Sequence, residues 1–411
     1  MQKVFLDHQS STPILPEVIE AMRPYFEEAF GNASSLHGHG LRARNALAEA
    51  RARVATFVGA SSPDEIIFTS SGTESVNLAI KGTAWSSARR GNHVILSQIE
   101  HPAVTGSMEF LEKQGFLCTR VGVDRFGRID PAAIREAMTE QTILVAVHHA
   151  NHDIGTIQPI REISEIAAER GVPLFVDATA SASWLPIDVE ADGLSLLSFA
   201  VHRFGGPKGA GVLYRNRRAR LERLIHGGIQ ESGKRAGTEN IPAIVGAGMA
   251  AEIAGRTILE RVPRVGGLQK RLLERLTAGI PHMQLNGPEP GSDRVCNNLN
   301  ISVEFVEGEG QLLSLDMAGI AVASGTSCLS RSMKVSPVLE GIGLDHSLAL
   351  GSVILTLGEG NTAEEIDLAA NTYARVVTKL RGMSPMWDEF QSGRVRSVIP
   401  HPVQGAGLPG A

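Results

Sequence analysis

Seven short apolar runs alternate with amphipathic stretches between about residues 65 and 215, and this alternation constrains the fold of the 411-residue chain most strongly. The runs are almost continuously apolar, as is typical of strands whose sheet carries helices on both faces. They lie at Ile66–Ser70, His93–Ser97, Thr119–Val123, Ile143–His149, Leu174–Asp177, Leu194–Ala200 and Gly211–Tyr214. The pattern predicts a large α/β domain with a mostly parallel seven-stranded sheet flanked by helices.

The chain changes character around Pro263, which predicts a second, smaller α+β domain. We expect one long helix to end near Leu259, because proline interrupts helical hydrogen bonding. Beyond it, a Gly/Pro-rich turn precedes further strand and helix patterns, and from Gln391 the chain thins into Ser, Gly, Pro and Val. The predicted units are a large domain over residues 15–260, a small domain over 1–14 and 261–390, and a mobile tail over 391–411.

Bulk properties exclude several classes of function. The formal net charge of −5 gives no reason to expect nucleic acid or an anionic membrane as the main partner. No apolar run is expected to span a bilayer, and the N-terminus enters a strand-like segment without a signal-peptide pattern. Three cysteines are too few for a disulfide framework and lack metal-ligand spacing. We therefore predict a cytoplasmic protein that binds neither nucleic acid nor membrane.

Two motifs at predicted strand ends are suited to ligand binding. Asp177 ends an apolar strand at the edge of the sheet where ligands bind in open α/β folds. The stretch Ser70-Ser-Gly-Thr73-Glu-Ser lies at a strand-to-helix junction, where backbone N–H groups favour a phosphate. The alternatives are a solvated helix-capping aspartate at Asp177 and a plain N-cap at Thr73.

Further motifs follow the other predicted strands. They are Glu100-His101-Pro102, His148-His-Ala-Asn151-His-Asp-Ile-Gly155, Ser198-Phe-Ala-Val-His202-Arg203-Phe-Gly-Gly-Pro-Lys208-Gly, Arg235-Ala-Gly-Thr238 and Ala323-Ser-Gly-Thr-Ser-Cys328-Leu-Ser-Arg-Ser-Met-Lys334. In this order, over about residues 4–390, the motifs resemble those of cysteine desulfurases. These are pyridoxal-phosphate (PLP) enzymes of the class-V aminotransferase group and of fold type I. The resemblance implies a fold-type I PLP-transferase architecture and a dimer.

The resemblance also implies roles for individual residues. In the family an aspartate like Asp177 keeps the pyridine nitrogen protonated, which makes the ring an electron sink. The histidine at His101 stacks on the ring and transfers protons, and a cysteine at Cys328 carries sulfur as a persulfide on a mobile loop. The other implied cofactor contacts are Thr73 and His202 to the phosphate, Asn151 to the cofactor hydroxyl, and Thr238 to the phosphate of the neighbouring subunit.

The chain departs from the family pattern around the same ligand. Arg203 replaces the lysine that forms the Schiff base, and a guanidinium stays protonated and is a very poor imine former. Ala180 replaces a glutamine that binds the cofactor oxygen, and Ala200 replaces a phosphate-binding serine. Ile354 stands where the family has the arginine that clamps the substrate carboxylate, and Glu359 replaces a nearby positive charge.

Three hypotheses follow. In the first, the protein has given up PLP-dependent desulfuration and is a persulfide carrier or scaffold in sulfur transfer and iron–sulfur cluster assembly, acting through Cys328. In the second, it is an active desulfurase, making alanine and an enzyme persulfide from cysteine, in which another group compensates. In the third, the former PLP pocket serves other chemistry, with Arg203 binding an anion.

The first hypothesis carries expectations about cofactors and partners. We expect no covalent PLP, although non-covalent PLP or another anionic ligand is compatible with the retained residues. Cys328 is also a candidate ligand for an iron–sulfur cluster shared with a partner. The expected partners are a second copy or a paralogue in a dimer, and a sulfur-acceptor or iron–sulfur scaffold protein.

Overall fold

The computed structural model describes residues 3–324 and 335–399. Thirteen strands are described in these ranges: β1 (Val4–Phe5), β2 (Ile66–Thr69), β3 (His93–Ser97), β4 (Leu117–Val121), β5 (Thr142–His148), β6 (Leu174–Asp177), β7 (Leu196–Ala200), β8 (Gly211–Arg215), β9 (Met283–Asn286), β10 (Asn298–Val303), β11 (Ile320–Ala321), β12 (Ala323–Ser324) and β13 (Ser352–Thr356). The described helices are α1 (Pro16–Met22), α2 (Pro24–Glu27), α3 (Gly38–Val58), α4 (Gly72–Ser87), α5 (Pro102–Glu112), α6 (Pro131–Ala137), α7 (Ile160–Glu169), α8 (Ile241–Gly279), α9 (Gly308–Met317), α10 (Pro337–Gly341), α11 (His346–Leu350), α12 (Ala363–Arg381) and α13 (Pro385–Gln391).

The central sheet has seven strands in the order β2-β8-β7-β6-β5-β3-β4. Strand β8 runs antiparallel to both of its neighbours, and every other pair is parallel. The mostly parallel seven-stranded sheet predicted from the apolar runs is therefore confirmed, although β4 begins two residues earlier than expected. Parallel pairing brings the carboxyl ends of β5, β6 and β7 to one edge.

Helices cover both faces of this sheet, which explains why its strands are apolar throughout. Along β3, Ile95 joins a core cluster with residues of α3, α7 and α8. Its neighbours Val94 and Leu96 join a second cluster with residues of α4 and α5. Because successive side chains point to opposite faces, a strand buried on both sides needs apolar residues at every position.

Helix α8 corrects one expectation from the sequence. It continues through Pro263 to Gly279, so the helix does not end near Leu259 and it crosses the predicted domain boundary at residue 260. Pro263 is exposed, so the Leu259 carbonyl that loses its helical partner lies on the solvent side. In the described ranges α8 is also the one helix long and apolar enough to cross a membrane. Most of its apolar window is buried inside the protein, as in a core helix.

The C-terminal part of the chain builds a second layer around an antiparallel sheet in the order β12-β13-β10-β9. Helix α12 packs on this sheet, and its Tyr373 is buried in the same core as β10 and β13. The N-terminal strand β1 pairs with β11, and Val4 and Leu6 are buried in the same core as this layer. The division into two domains stays a prediction.

The first part of the predicted tail contacts the residue that follows β10. The carboxylate of Glu304 accepts hydrogen bonds from the Ser397 hydroxyl at 2.6 Å and from the Val398 amide at 2.6 Å. The rest of the tail, residues 400–411, lies outside the described residues.

Candidate active site

A cavity of about 170 Å³ lies at the carboxyl edge of the central sheet. It is bounded by the N-terminus of α4, the ends of β5 and β6, and the turn Val201–Arg203 that follows β7. We call it the strand-end cavity. Five predicted site residues line it, namely Thr73, His101, Asp177, His202 and Arg203. The topology thus brings together residues that are up to 130 positions apart in the sequence.

The α4 end of the cavity presents a helix N-terminus against β7. The Ser71 hydroxyl caps α4 by accepting from the Glu74 amide at 3.1 Å. Gly72 packs so closely that a Cβ there would lie 3.2 Å from the Ala200 Cβ. The unpaired amides at such a terminus favour an anion, as expected for Thr73. Ala200 lines the wall where the family has a serine hydroxyl.

Glu74, in the first turn of α4, ties this terminus to a distant loop. Its carboxylate accepts from the Arg235 guanidinium at 2.8 Å and from the Ser70 amide at 2.9 Å. Burial alone would raise the pKa of Glu74, but these hydrogen bonds outweigh it and the pKa is lowered. No local pattern predicts this ion pair, because its partners lie 161 residues apart.

Asp177 is held by the residue two positions later. Its Oδ1 accepts from the Thr179 hydroxyl at 2.6 Å and from the Thr179 amide at 3.0 Å. Among the described residues, the structure gives Oδ2 no hydrogen-bond partner. The side chain is 6% exposed and lines the strand-end cavity. One carboxylate oxygen is thus fixed by the protein, and the other is available to a ligand.

His101 is a neutral histidine at the start of α5. Its Nδ1 accepts from the Ala103 amide at 3.1 Å, which places the proton of the neutral ring on Nε2. Burial lowers the pKa of His101 to about 4, with further lowering by His152 and partial compensation by Asp177. The His152 ring packs edge-on, 5.1 Å away. The sequence analysis missed His152, which lines the same cavity.

A buried network stands behind this wall. His148 donates from Nδ1 to Oε1 of Glu100 at 2.8 Å, and its Nε2 lies 3.0 Å from Nε2 of Gln158. Ser97 donates to the same Glu100 oxygen at 2.5 Å. Because Gln158 uses Nε2 as a donor, His148 carries its proton on Nδ1. The network fixes the loop that leads into His101.

Arg203, which the resemblance aligns with the family's lysine, lines the cavity with a side chain that is only partly satisfied. Its Nε is buried without a hydrogen-bond partner. No ion pair within 4 Å joins it to a carboxylate of the described chain, although Asp177 and Asp7 attract it. Burial lowers the pKa of Arg203 while these two carboxylates raise it. The adjacent His202 has its pKa lowered to about 4 by burial and by the charges of Arg203 and Lys208.

The remaining predicted residues lie outside this cavity. Asn151 uses its side-chain amide within the protein, donating to the Ile99 carbonyl in the segment after β3 at 3.1 Å and accepting from the Asp153 amide of its own loop at 2.9 Å. It lines an adjoining cavity of about 20 Å³ rather than the strand-end cavity. Thr238 is exposed and lines none of these cavities. Cys328 lies outside the described residues.

The two described cysteines are poor nucleophiles. Burial raises the pKa of Cys118 to about 11 and that of Cys296 to about 12, with nearby arginines opposing the shift in each case. A thiol with so high a pKa holds almost no thiolate near neutral pH, and the thiolate is the reactive form. Both residues therefore behave as the core thiols expected from their apolar sequence contexts.

A second large cavity, of about 220 Å³, adjoins the first and is mostly apolar. We call it the apolar cavity. The small cavity of about 20 Å³ lies between the two and shares lining residues with each. Arg203 lines all three spaces, so its side chain stands at the junction of one branched cleft. The apolar cavity is lined by His8, Leu15, Trp184, Phe204, Ile253 and Arg261, among others.

The donor set of the strand-end cavity fits parts of PLP but supplies no imine-forming amine. Asp177 suits a pyridine nitrogen, and the α4 terminus suits a phosphate. None of the described residues that line this cavity is a lysine. Lys208, five residues beyond Arg203, is exposed. Ile354, which the resemblance aligns with the family's substrate clamp, is 1% exposed within β13 and offers no charge.

A mostly parallel sheet with an aspartate at the end of β6 and a helix N-terminus opposite defines the fold-type I class of PLP-transferase architecture. The chain belongs to the aminotransferase class-V family, a PLP-dependent family whose model matches residues 4–368.

Three comparisons narrow the resemblance. A protein of Dictyoglomus turgidum named cysteine desulfurase IscS is 43% identical over 390 residues, covering 95% of this chain and 98% of that protein. An Archaeoglobus fulgidus protein named cysteine desulfurase IscS 1 is 44% identical over 384 residues, covering 93% of this chain and 99% of that protein. A solved NifS-like protein matches with a TM-score of 0.87 at 32% identity, over 92% of this chain and 100% of that one. The family and fold expected from the motifs are confirmed.

Proposed function

We propose that this protein transfers sulfur without forming a Schiff base between PLP and a lysine. The observation that carries the proposal is Arg203, whose guanidinium stands at the end of β7 where the chemistry of the family requires an amine. Since arginine stays protonated in proteins, it cannot attack the aldehyde carbon of PLP. Two further replacements also disfavour PLP-dependent desulfuration. Ile354 replaces the clamp for the substrate carboxylate, and Ala180 replaces the glutamine that binds the cofactor oxygen.

The sulfur-carrying group in this proposal is the thiol of Cys328. Its thiolate attacks the outer sulfur of a donor persulfide, forming a new S–S bond while the donor's S–S bond breaks. The donor leaves as a thiolate, so Cys328 becomes the persulfide without any external oxidant. The raised pKa values of Cys118 and Cys296 support this choice, because neither thiol competes near neutral pH.

The proposed partners follow from the same scheme. A carrier needs a donor and an acceptor, and we propose a sulfur-acceptor or iron–sulfur scaffold protein in the cytoplasm, with Cys328 also able to ligate a cluster held by that scaffold. We further propose a dimer of this chain with itself or with a paralogue. Thr238 supports the dimer, because the resemblance implies that this residue contacts the phosphate of the neighbouring subunit. It is exposed, and the segment that carries it is anchored by a hydrogen bond of 2.8 Å from Arg235 to Glu74.

Borohydride reduction tests the proposal. The purified full-length protein is incubated with PLP, reduced with sodium borohydride, digested and analysed by mass spectrometry. The Dictyoglomus turgidum relative, treated in parallel, serves as the positive control. We expect no reduced PLP adduct on any lysine of this protein at stoichiometric yield. A stoichiometric adduct at Lys208 or at another single lysine would overturn the proposal.

The second candidate function is an active cysteine desulfurase with a compensating group. The identity of 43–44% with relatives of that name favours it. It predicts alanine and sulfide from L-cysteine plus a reductant at a rate that depends on added PLP. The first proposal predicts that the wild-type protein forms neither product faster than the Cys328→Ser variant does.

A further inference from the structure

The apolar cavity is closed at one end by a cation that the protein leaves unpaired. Leu15, Trp184 and Ile253 form apolar walls of this cavity of about 220 Å³, and Arg203 lines its junction with the rest of the cleft. The Nε of Arg203 is buried and has no hydrogen-bond partner. A buried polar group without a partner is costly, so a site of this kind gains free energy when a ligand supplies the missing acceptor.

The other cation of the cavity, Arg261, also has a buried Nε without a hydrogen-bond partner, but the protein supplies acceptors for both of its terminal nitrogens. Arg261 donates to the Thr257 hydroxyl at 2.6 Å and to the Ala254 carbonyl at 3.1 Å, and it lies 3.7 Å from the Glu359 carboxylate. Its guanidinium also stacks over the Trp184 ring at 5.4 Å. Among the described lining residues this leaves Arg203 as the cation whose terminal nitrogens have no hydrogen-bond partner in the described chain.

The neighbouring groups decide which charge a ligand carries. Asp7 and Asp177 both attract Arg203, so their carboxylates repel an anionic ligand, and they repel a dianion such as phosphate about twice as strongly as a monoanion. His8 lines the cavity with a buried, unpartnered Nδ1, and burial lowers the pKa of His8 to about 4, so it is neutral near pH 7. One planar monoanion therefore matches the site, because a guanidinium binds a carboxylate through two parallel hydrogen bonds.

We infer that the apolar cavity binds a monocarboxylate with an apolar body, its carboxylate on Arg203 and its body between Leu15, Trp184 and Ile253. A neutral apolar molecule would leave the guanidinium unpaired. A phosphorylated one, with twice the negative charge, would be repelled by the two aspartates about twice as strongly as a monocarboxylate. The inference does not depend on sulfur transfer, since it involves neither Cys328 nor a lysine.

Calorimetric titration of the full-length protein tests the inference, with acetate, butyrate and hexanoate as probes. Each methylene buried between apolar walls is expected to raise affinity about fourfold. Hexanol, hexylamine and inorganic phosphate are the charge controls and should bind at least about tenfold more weakly than hexanoate. Norleucine tests whether a zwitterion is preferred. Tighter binding of norleucine or phosphate than of hexanoate would overturn the inference, as would affinity that does not depend on chain length.

Single substitutions test the contact of the carboxylate with Arg203 and the contacts of the apolar body separately. Arg203→Met should weaken hexanoate binding at least tenfold, whereas Arg89→Met, at an exposed arginine outside the cleft, should not change it. Ile253→Ala should reduce the gain per methylene while leaving acetate affinity unchanged, and it keeps the test open if Arg203→Met does not fold. Cys328→Ser should bind hexanoate like the wild type. Unchanged hexanoate affinity in Arg203→Met, with a native circular dichroism spectrum, would contradict the assignment.

Discussion

Thr179 donates both its hydroxyl, at 2.6 Å, and its amide, at 3.0 Å, to the same carboxylate oxygen of Asp177. The pair holds the Asp177 carboxylate in one orientation at the end of β6. Replacing Thr179 by valine removes the hydroxyl but keeps the shape of the side chain. We expect Thr179→Val to lower the free energy of unfolding by about 1–2 kcal/mol, because the lost hydrogen bond has a charged acceptor.

Urea unfolding followed by circular dichroism measures this loss, and Thr179→Ser is the matched control because it retains the hydroxyl. We expect Thr179→Ser to lose less than half as much stability as Thr179→Val. Equal losses in the two variants would show that the hydroxyl contributes no more to stability than the methyl group does, which would contradict the prediction.

The strand-end residues were predictable from sequence because local patterns mark strand ends and parallel pairing collects those ends at one edge. Asp177 and His202 follow apolar runs directly, so their meeting in one cavity follows from topology. Other features depend on contacts between distant segments. The Arg235–Glu74 ion pair and the edge-on His101–His152 contact have no local signature.

Two further features show why local patterns fail. Pro263 suggested a helix end, but a proline on the exposed side of a long, well-packed helix costs too little to end it. Asn151 carries the sequence motif of a cofactor contact, yet its amide bonds the Ile99 carbonyl and the Asp153 amide. A motif identifies a residue type at a loop position, whereas the hydrogen bonds of that residue depend on the backbone around it.

A single reversion at Arg203 should not create a full desulfurase. Arg203→Lys supplies an amine, but Ile354 remains a buried apolar residue at the position of the substrate clamp. We expect its sulfide release from L-cysteine to stay roughly 10- to 100-fold below that of the Dictyoglomus turgidum relative, the range for a missing charged hydrogen-bond pair. Both proteins are assayed side by side with saturating PLP. Equal rates would show that Arg203 alone separates this chain from an active enzyme.

Buried neutral histidines should make the fold sensitive to mild acid. Burial lowers the pKa of His149 to about 4, below its ordinary value of 6.5. Between these two pKa values His149 is protonated in the unfolded chain but neutral in the folded chain. The free energy of unfolding therefore falls as the pH falls from 6.5 to 4. His149 contributes about 3 kcal/mol to this loss at most.

Unfolding free energies at pH 7.5, 6.0 and 5.0 measure the effect, with His149→Gln as the comparison because glutamine does not titrate. The stability of the wild type should fall more steeply with acid than that of His149→Gln. Parallel curves for the two proteins would show that His149 does not contribute to acid sensitivity.

The three cysteines should differ in reactivity. Cys118 and Cys296, with pKa values raised by burial to about 11 and about 12, are expected to react slowly with a thiol probe at pH 7.5. Cys328 should be labelled first, and this is measured by timed alkylation, digestion and mass spectrometry. Alkylation of an equimolar unfolded sample gives the intrinsic rate of each site. Equal rates for the three residues in the folded protein would remove the basis for assigning transfer to Cys328.

The protein should be a dimer in solution. Thr238 is exposed, and the resemblance implies that it contacts the phosphate of a neighbouring subunit. The segment that carries it is held in place on the large sheet, since Glu231 pairs with Arg51 at 2.6 Å and accepts from the Phe68 amide at 2.8 Å. Multi-angle light scattering at micromolar concentration should give twice the chain mass. A clean monomer mass at that concentration would contradict the proposed dimer.

The central claim is that sulfur reaches Cys328 from a donor persulfide and not from L-cysteine through PLP. The most direct measurement is intact and peptide mass spectrometry of the protein after incubation, in parallel, with a low-molecular-weight persulfide and with L-cysteine plus PLP. The account predicts one added sulfur at Cys328 in the first reaction, none in the second, and none in either for Cys328→Ser. A persulfide on Cys328 formed from L-cysteine, accompanied by an equal amount of alanine, would contradict it.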